Sequence, residues 1–264
     1  MTEREHIAKY KEFEKLGKFN EEINPTDWDA CYPVTEQFDY IPKSPLKRIG
    51  NFLKKTFLIS PYAWYKAKVE RKIKIVGREN LKGIKSAIVT CNHVYIYDCL
   101  MIRYALKRYR HKYVVAEFNN RKGFLGNMMR ADGILPLSNS FDVLKKFSSA
   151  MEYYLSHKNF VVFYPEQSMW HMYDKPRPFK NGAFHYAAKF GVPIIPMFIT
   201  YRNSGKFDDE GLEIKYFTLH ILKPIYPDPN LSKAENIERM RDENFDACKA
   251  VYEETYKKKL SYES

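Results

Sequence analysis

Residues 87–98 read Ala-Ile-Val-Thr-Cys-Asn-His-Val-Tyr-Ile-Tyr-Asp, an apolar run that ends in a polar turn. The unbroken run of apolar and β-branched residues predicts a buried strand. His93 then lies just past the strand end, and Asp98 can begin the next helix, where a carboxylate is favoured. Because ligands bind at this edge of open α/β sheets, Asn92, His93 and Asp98 are candidate site residues.

A second stretch, residues 160–168, has the same form and reads Phe-Val-Val-Phe-Tyr-Pro-Glu-Gln-Ser. Pro165 closes the predicted strand because it has no donor for the ladder, and Glu166 then projects toward the same edge as His93. The spacing of His93 and Asp98 lets the carboxylate hold one imidazole nitrogen and leave the other free as a base. Taken alone, that spacing also fits a structural histidine.

Strand and helix patterns alternate over the rest of the chain. The clearest helix covers residues 143–155, with Ser140 or Asp142 as its N-cap, and Ser232 and Glu235 have the spacing of a capping box. The six apolar runs that predict strands are Ile73–Val76, Ala87–Cys91, Tyr113–Ala116, Ile134–Leu137, Phe160–Tyr164 and Val192–Thr200. This alternation predicts an α/β fold with a mostly parallel central sheet flanked by helices.

Charge divides the chain into three parts. Residues 1–40 hold five Lys or Arg and ten Asp or Glu, and they are predicted to form an acidic N-terminal appendage. Residues 41–72 are predicted to be a basic amphipathic segment, and residues 73–264 form the main domain. The formal charge of the whole chain is +12, so the part after residue 40 carries +17. That surplus favours an anionic partner.

The basic segment predicts a membrane anchor. Its apolar residues fall on one helical face and its cations on the other, and Tyr62, Trp64 and Tyr65 follow. The two faces hold Leu46, Ile49, Phe52, Leu53 and Phe57 on one side, and Lys47, Arg48, Lys54 and Lys55 on the other. This pattern is typical of a helix that lies in the interface of an anionic membrane. The alternative is a helix packed on the domain with solvated lysines.

Other features restrict the compartment and the class of protein. No run approaches the eighteen or so apolar residues of a membrane span, and the first fifteen residues predict no signal peptide. The four cysteines are predicted to be reduced thiols in a cytosolic protein. A metal site at Cys91, His93 and Cys99 lacks a second Cys/His pair, and no nucleic-acid-binding motif or serine-hydrolase elbow is present. We therefore expect no metal, no cofactor and no nucleic-acid partner.

The order of these motifs resembles the lysophosphatidic acid acyltransferase family, within the glycerol-phosphate acyltransferase superfamily. The family's first block, Asn-His-x4-Asp, matches Asn92, His93 and Asp98. Its third block, Phe-Pro-Glu-Gly-Thr-Arg, is matched in part by the run Tyr164–Ser168. The Phe-Lys-x-Gly-Ala run and the Val-Pro-Ile-Ile-Pro block are matched at Phe179–Ala183 and Val192–Pro196. The resemblance covers roughly residues 73–200.

The resemblance implies a direct acyl transfer at the cytoplasmic side of a membrane, by a peripheral protein. The donor would be an acyl thioester, acyl-CoA or acyl carrier protein, and the acceptor a lysolipid or glycolipid hydroxyl. His93 would take the proton of that hydroxyl, Asp98 would stabilise the imidazolium, and Glu166 would orient the acceptor. The alternative is a catalytically silent relative of the same fold that binds lipid as a scaffold.

The sequence departs from the family where the acceptor binds. Asn139 and Met169 stand where the family has arginines that the resemblance implies hold the acceptor's phosphate, and Gln167 replaces a glycine. The predicted substrate-binding residues are Asn92, Asn139, Glu166, Gln167, Ser168, Arg177 and Lys180. In that set, Arg177 and Lys180 are the cations that could rebuild the phosphate site. Otherwise the acceptor carries an uncharged or diester headgroup, and lysophosphatidic acid is not the preferred substrate.

Overall fold

The computed structural model describes residues 3–23, 26–209 and 211–263. A seven-stranded sheet lies at its centre, in the order β1-β7-β6-β2-β5-β3-β4. The strands are β1 (Lys74–Val76), β2 (Ala87–Thr90), β3 (Arg110–Val115), β4 (Ile134–Pro136), β5 (Asn159–Phe163), β6 (Ile194–Phe207) and β7 (Glu213–Ile221). Neighbouring strands run parallel except β6 and β7, which are antiparallel. The predicted α/β class with a mostly parallel sheet is confirmed.

Helices flank both faces of the sheet. They are α1 (Glu3–Lys15), α2 (Pro45–Lys54), α3 (Ser60–Trp64), α4 (Asp98–Ala105), α5 (Gly123–Asp132), α6 (Phe141–Ser156), α7 (Gly182–Phe190) and α8 (Lys233–Tyr256). The predicted helix over 143–155 lies within α6, whose N-cap residue is Ser140. The predicted capping box of Ser232 and Glu235 begins α8.

Two apolar cores form on opposite faces of the sheet, because successive strand residues point to opposite sides. In β2, Ile88 belongs to the core beneath α6 and α7, where Phe147 and Phe184 are fully buried. Its neighbour Val89 belongs to the other core, which Met101 of α4 helps to fill. This packing fixes β2 and β5 side by side at the centre of the sheet, with their carboxyl ends at one edge.

The sequence predicts an acidic appendage over residues 1–40, and the described parts of that segment, residues 3–23 and 26–40, have side chains that pack onto the domain. Tyr10 of α1 stacks on Trp170 with ring centroids 5.1 Å apart. Val34 and Tyr40 join the core beneath α6, and the Tyr40 hydroxyl donates to the carbonyl of Pro136. Aromatic residues within this segment supply the apolar area that such packing requires.

Residues 45–70 form one continuous helical segment, in which the π turns Lys55–Ile59 and Tyr65–Glu70 follow α2 and α3. Ser44 caps α2, and Pro45 occupies its first turn. The segment turns an apolar face to solvent, with Leu46 81% exposed. The other exposed apolar side chains of the segment are Ile49, Phe52, Leu53, Phe57, Leu58, Tyr62, Trp64, Tyr65 and Val69. Within the described residues, no helix combines the length and the apolarity required to cross a membrane.

Candidate active site

The site begins where β2 and β5 end beside each other. The Cys91 amide donates to the carbonyl of Phe163 at 3.1 Å, which keeps the two chains together just past the strands. The loops that follow bring the imidazole of His93 onto the ring of Tyr164, with centroids 4.1 Å apart and planes 18° from parallel. The two motifs predicted from the sequence therefore meet at one point.

Asp98 contacts the Nδ1 side of the His93 imidazole. Its Oδ2 lies 2.7 Å from His93 Nδ1 and accepts from the Val94 amide, while its Oδ1 accepts from the Tyr164 hydroxyl at 2.7 Å. The carboxylate is 1% exposed and lies in the first turn of α4. A buried carboxylate at Nδ1 keeps the proton on that nitrogen and leaves Nε2 as the acceptor.

The free edge of His93 faces outward. Its side chain is 22% exposed, and Nε2 has no hydrogen-bond partner among the described residues. A hydroxyl group that approaches this nitrogen can therefore transfer its proton to it. This geometry is the one that a general base oriented by a carboxylate requires.

Glu166 and Arg177 form a buried ion pair under the histidine loop. Both side chains are 0% exposed, and Glu166 Oε2 accepts from Arg177 Nη2 at 2.8 Å and from Nε at 3.2 Å. The same oxygen lies 3.3 Å from the His93 amide. Glu166 therefore connects the backbone of His93 to Arg177. An acceptor could contact either side chain only after this pair had rearranged.

Further contacts complete the surroundings of Arg177. Its Nη1 donates to the Ser168 hydroxyl at 2.9 Å and to the Phe19 carbonyl at 2.8 Å, and its guanidinium lies 4.6 Å above the ring of Trp170. Ser168 is itself buried. These predicted substrate-binding residues thus lie together, but they face one another rather than the surface.

The N-terminal segment packs on the loop that follows β5 and contains Glu166 and Trp170. Asn20 donates to the Glu166 carbonyl, and the Trp170 indole donates to the Glu21 carbonyl, both at 3.1 Å. Desolvation raises the pKa of Glu22, and the charge interactions with nearby His93 and Arg177 oppose that rise. The segment therefore brings a carboxyl group close to His93, and no pattern in the sequence predicts this.

The remaining predicted residues make no hydrogen bond to the side chains of His93 and Asp98 among the described residues. Asn92 is buried and links the sheet, because its amide donates to the Ile199 carbonyl and accepts from the Ile199 amide. Gln167 and Lys180 are exposed. Asn139 is exposed in the loop after β4, three strands from β2, and so lies roughly 14 Å away along the same edge.

Gln167 adopts a left-handed backbone conformation, with φ of 67°. Its amide donates to the Tyr164 carbonyl and closes the turn between the strand and the loop. The family has glycine at this position, which such a conformation favours. The replacement keeps the turn and adds an exposed amide side chain beside the site.

The cysteines near the site are protonated thiols. Burial raises the pKa of Cys91 well above its usual value, and it also raises the pKa of Cys99. Neither thiol is therefore a thiolate nucleophile at neutral pH. In the described part of the chain, no group of three or more His, Cys, Asp or Glu is placed to hold a metal ion.

Two functional contacts were not predicted from the sequence. The Tyr164 hydroxyl binds Asp98, and the only signal was a tyrosine where the family has phenylalanine. The Tyr95 hydroxyl donates to Glu70 Oε1 at 2.6 Å, which connects the histidine loop to the helical segment 45–70. That contact joins residues 25 positions apart and leaves no local pattern in the sequence.

Known proteins are similar to this chain in sequence and in fold. Residues 72–200 match the family model described as Acyltransferase. The 1-acyl-sn-glycerol-3-phosphate acyltransferase of Saccharomyces cerevisiae is 27% identical over 188 residues, which cover 68% of this chain and 60% of the yeast protein. The match thus spans less than two thirds of that relative's length. The crystal structure of the 1-acyl-sn-glycerophosphate (LPA) acyltransferase PlsC from Thermotoga maritima superposes with a TM-score of 0.54 at 16% identity, covering 82% of this chain and 97% of that one.

The fold and the site together define an α/β acyltransferase domain with a histidine–aspartate pair at the carboxyl edge of its central strands. The superposition on the bacterial structure shows the shared fold. By their match to the family model, residues 72–200 belong to the acyltransferase family, and the chain is similar to the 1-acyl-sn-glycerol-3-phosphate acyltransferase of yeast.

Proposed function

We propose that this protein transfers a fatty acyl group from an acyl thioester to the hydroxyl of a lysolipid or glycolipid. The observation that carries the proposal is the pair of His93 and Asp98, in which Nδ1 is held at 2.7 Å and Nε2 faces outward. The reaction needs no covalent intermediate on the protein, because a positioned base can activate the acceptor hydroxyl directly.

The proposed step balances without a cofactor. The acceptor oxygen attacks the thioester carbonyl carbon while Nε2 of His93 takes the hydroxyl proton. The carbon–sulfur bond then breaks, and the imidazolium returns the proton to the departing thiolate. Asp98 stabilises the imidazolium during this interval, as the carboxylate does in other histidine-based acyl transfers. Acyl-CoA and acyl carrier protein are the proposed donors, and both suit the basic surface of the domain.

The same proposal places the protein on a membrane, peripherally and at the cytoplasmic side. The support is the exposed apolar face of the helical segment 45–70, since an apolar patch of this extent on a monomer marks a protein or lipid interface. Phe57 is 68% exposed and Trp64 53% exposed. A lipid acceptor could then reach His93 without leaving the bilayer surface.

The acceptor is proposed to lack a phosphate monoester. Arg177, one of the two cations considered as replacements for the family arginines, is fully buried against Glu166. Lys180 remains exposed, and Asn139 and Gln167 offer amide groups that suit hydroxyls. A lysolipid with a phosphodiester, or a glycolipid, should therefore be acylated faster than lysophosphatidic acid.

One assay tests these proposals together. Pure protein is incubated with labelled acyl-CoA or acyl carrier protein and a mixture of lysolipids and glycolipids, and the products are identified by mass spectrometry. An acylated lipid that disappears with His93→Ala supports the enzyme. Lipid binding without any product from either donor would favour the silent scaffold. If lysophosphatidic acid wins the competition, and Lys180→Ala selectively removes that activity, the acceptor proposal is wrong and the catalytic proposal stands.

A further inference from the structure

A large cavity lies at the end of the sheet opposite to His93. Its volume is about 1020 Å³, and it opens between α2 with the following π turn and the first residues of β3, β4 and β5. The base lies past the carboxyl ends of the strands, so the five-residue length of β5 alone separates the two places by about 16 Å. The cavity is therefore distinct from the proposed acyl-transfer site.

Cations line the cavity. Nine Lys or Arg side chains border it, against a single carboxylate, that of Asp39, among the described residues. Four of these cations belong to the helical segment, Lys47, Arg48, Lys54 and Lys55, the four that the sequence predicts would meet membrane headgroups. Lys47 and Arg48 are exposed at the cavity, whereas Lys54 and Lys55 are half-buried.

Lys55 and Lys112 are half-buried cations of this cavity. Neither has an ion pair with a carboxylate in the described part of the chain, and Lys112 Nζ instead lies 4.4 Å above the ring of Tyr154. The nearby Asp132 carboxylate is already bound by Arg103. Two ammonium groups therefore share the field of a carboxylate that already neutralises another cation, and this is costly in a partly desolvated place.

The electrostatics of the two lysines agree with their surroundings. Burial and the charges of Lys55 and Arg110 lower the pKa of Lys112 to about 7. Burial also lowers the pKa of Lys55; the Asp132 carboxylate opposes this shift, and the guanidinium groups of Arg103 and Arg110 add to it. A bound anion would reverse these repulsions.

The geometry leads us to propose that this cavity is a second binding site, which takes a phosphate-bearing anion between Lys55, Lys112 and Arg110. A phosphate group fits because it carries up to two charges and several acceptor oxygens, which several converging donors can share. The volume admits a headgroup or a small phosphate ester, not a nucleic-acid strand. The ligand is either a lipid phosphate that enters along α2 or a soluble phosphate ester.

The site does not depend on acyl transfer, so binding tests it without an activity measurement. Isothermal titration of the full chain with inorganic pyrophosphate should show saturable binding. In the variant Lys55→Gln/Lys112→Gln, affinity should fall by about tenfold or more, because each lost charged hydrogen bond weakens binding. The control Lys189→Gln/Lys233→Gln removes the same charge outside the cavity and should bind like the native protein.

Vesicles identify the source of the phosphate. Phosphatidylcholine vesicles with and without phosphatidic acid are compared for the native protein and both double variants. A loss of binding that is confined to the Lys55→Gln/Lys112→Gln variant and to phosphatidic acid identifies a lipid phosphate. A soluble ester is identified if the native protein and both double variants bind vesicles equally while Lys55→Gln/Lys112→Gln no longer binds pyrophosphate. Pyrophosphate and vesicle binding that do not differ between the two double variants would overturn the proposal.

Discussion

Tyr62 packs edge-to-face against Tyr97, with ring centroids 5.9 Å apart, and so joins the exposed helical segment to the loop that carries His93. Lys66 lies 4.4 Å above the same Tyr97 ring. A membrane that contacts the helical segment would therefore also affect Tyr97, which lies in the same loop as His93. The surface that we propose for lipid binding and the proposed catalytic group belong to one packed unit.

The first prediction concerns the base. His93→Ala should lower the turnover by about 10²–10⁴-fold, because a positioned general base is lost. Asp98→Asn should also be severe, since the imidazole loses its charge partner. Initial rates with a saturating donor measure both. His185→Ala, in α7, serves as the control and should retain the native rate; a His93→Ala protein with a native rate would refute the mechanism.

A second prediction concerns Tyr164, whose hydroxyl donates to Asp98. Tyr164→Phe should lower the turnover by no more than about tenfold, because Asp98 keeps His93 and the Val94 amide as partners. Comparing kcat for Tyr164→Phe and Asp98→Asn checks this. The expectation fails if the tyrosine variant is as impaired as the aspartate variant.

The ion pair of Glu166 and Arg177 should be a determinant of stability. Arg177→Ala leaves a buried carboxylate unpaired and should lower the free energy of unfolding by about 3–5 kcal/mol. Chemical denaturation measures this loss, and the double variant Glu166→Gln/Arg177→Met should recover part of it. A folded Arg177→Ala protein of native stability, with altered acceptor preference alone, would instead show that the arginine binds substrate.

The membrane proposal depends on apolar side chains. Phe52→Ser/Phe57→Ser should weaken vesicle binding by at least about tenfold, because transfer of each phenyl ring from water contributes about 1.5–3 kcal/mol. Flotation with phosphatidylcholine vesicles measures the effect. Phe141→Ser removes an equally exposed ring from α6 and should change little. Unchanged flotation of the double variant would remove the support for the anchor.

The last prediction uses pH. The pKa of Lys112 is about 7 in the folded protein, below the usual value of 10.5, so the unfolded chain binds more protons between these values. Burying the Lys112 charge therefore lowers the free energy of unfolding by its full amount below about pH 7. This loss disappears as the pH rises toward 10.5. The unfolding free energy of the native protein, relative to Lys112→Gln, should increase between about pH 6.5 and about pH 9.5. A constant difference would contradict the shifted pKa.

The sequence predicted the buried strands of the sheet well because each is a short apolar run between polar turns. It did not predict β7, where Lys, Tyr, Thr and His interrupt the apolar pattern of Glu213–Ile221. The pair of His93 and Asp98 lies within one loop, so its spacing carried the necessary information. The ion pair of Glu166 and Arg177 could not be predicted in this way, because it depends on the path of the loop between the two residues.

Long-range packing was also outside what the sequence could specify. The acidic composition of residues 1–40 predicted an appendage, but Tyr10 and Tyr40 bury against distant parts of the domain. The helical face of Lys54 and Lys55 was predicted from periodicity, yet periodicity does not say whether that face meets solvent or a cavity. Such choices depend on which surfaces the rest of the fold leaves open.

The outward orientation of Phe52 and Phe57 has a kinetic consequence. If the enzyme and its acceptor share one lipid surface, they meet by diffusion in two dimensions. The rate would then follow the mole fraction of acceptor in the surface and not its bulk concentration. Adding inert phospholipid at constant total acceptor would slow the reaction by surface dilution, while adding buffer would leave it unchanged.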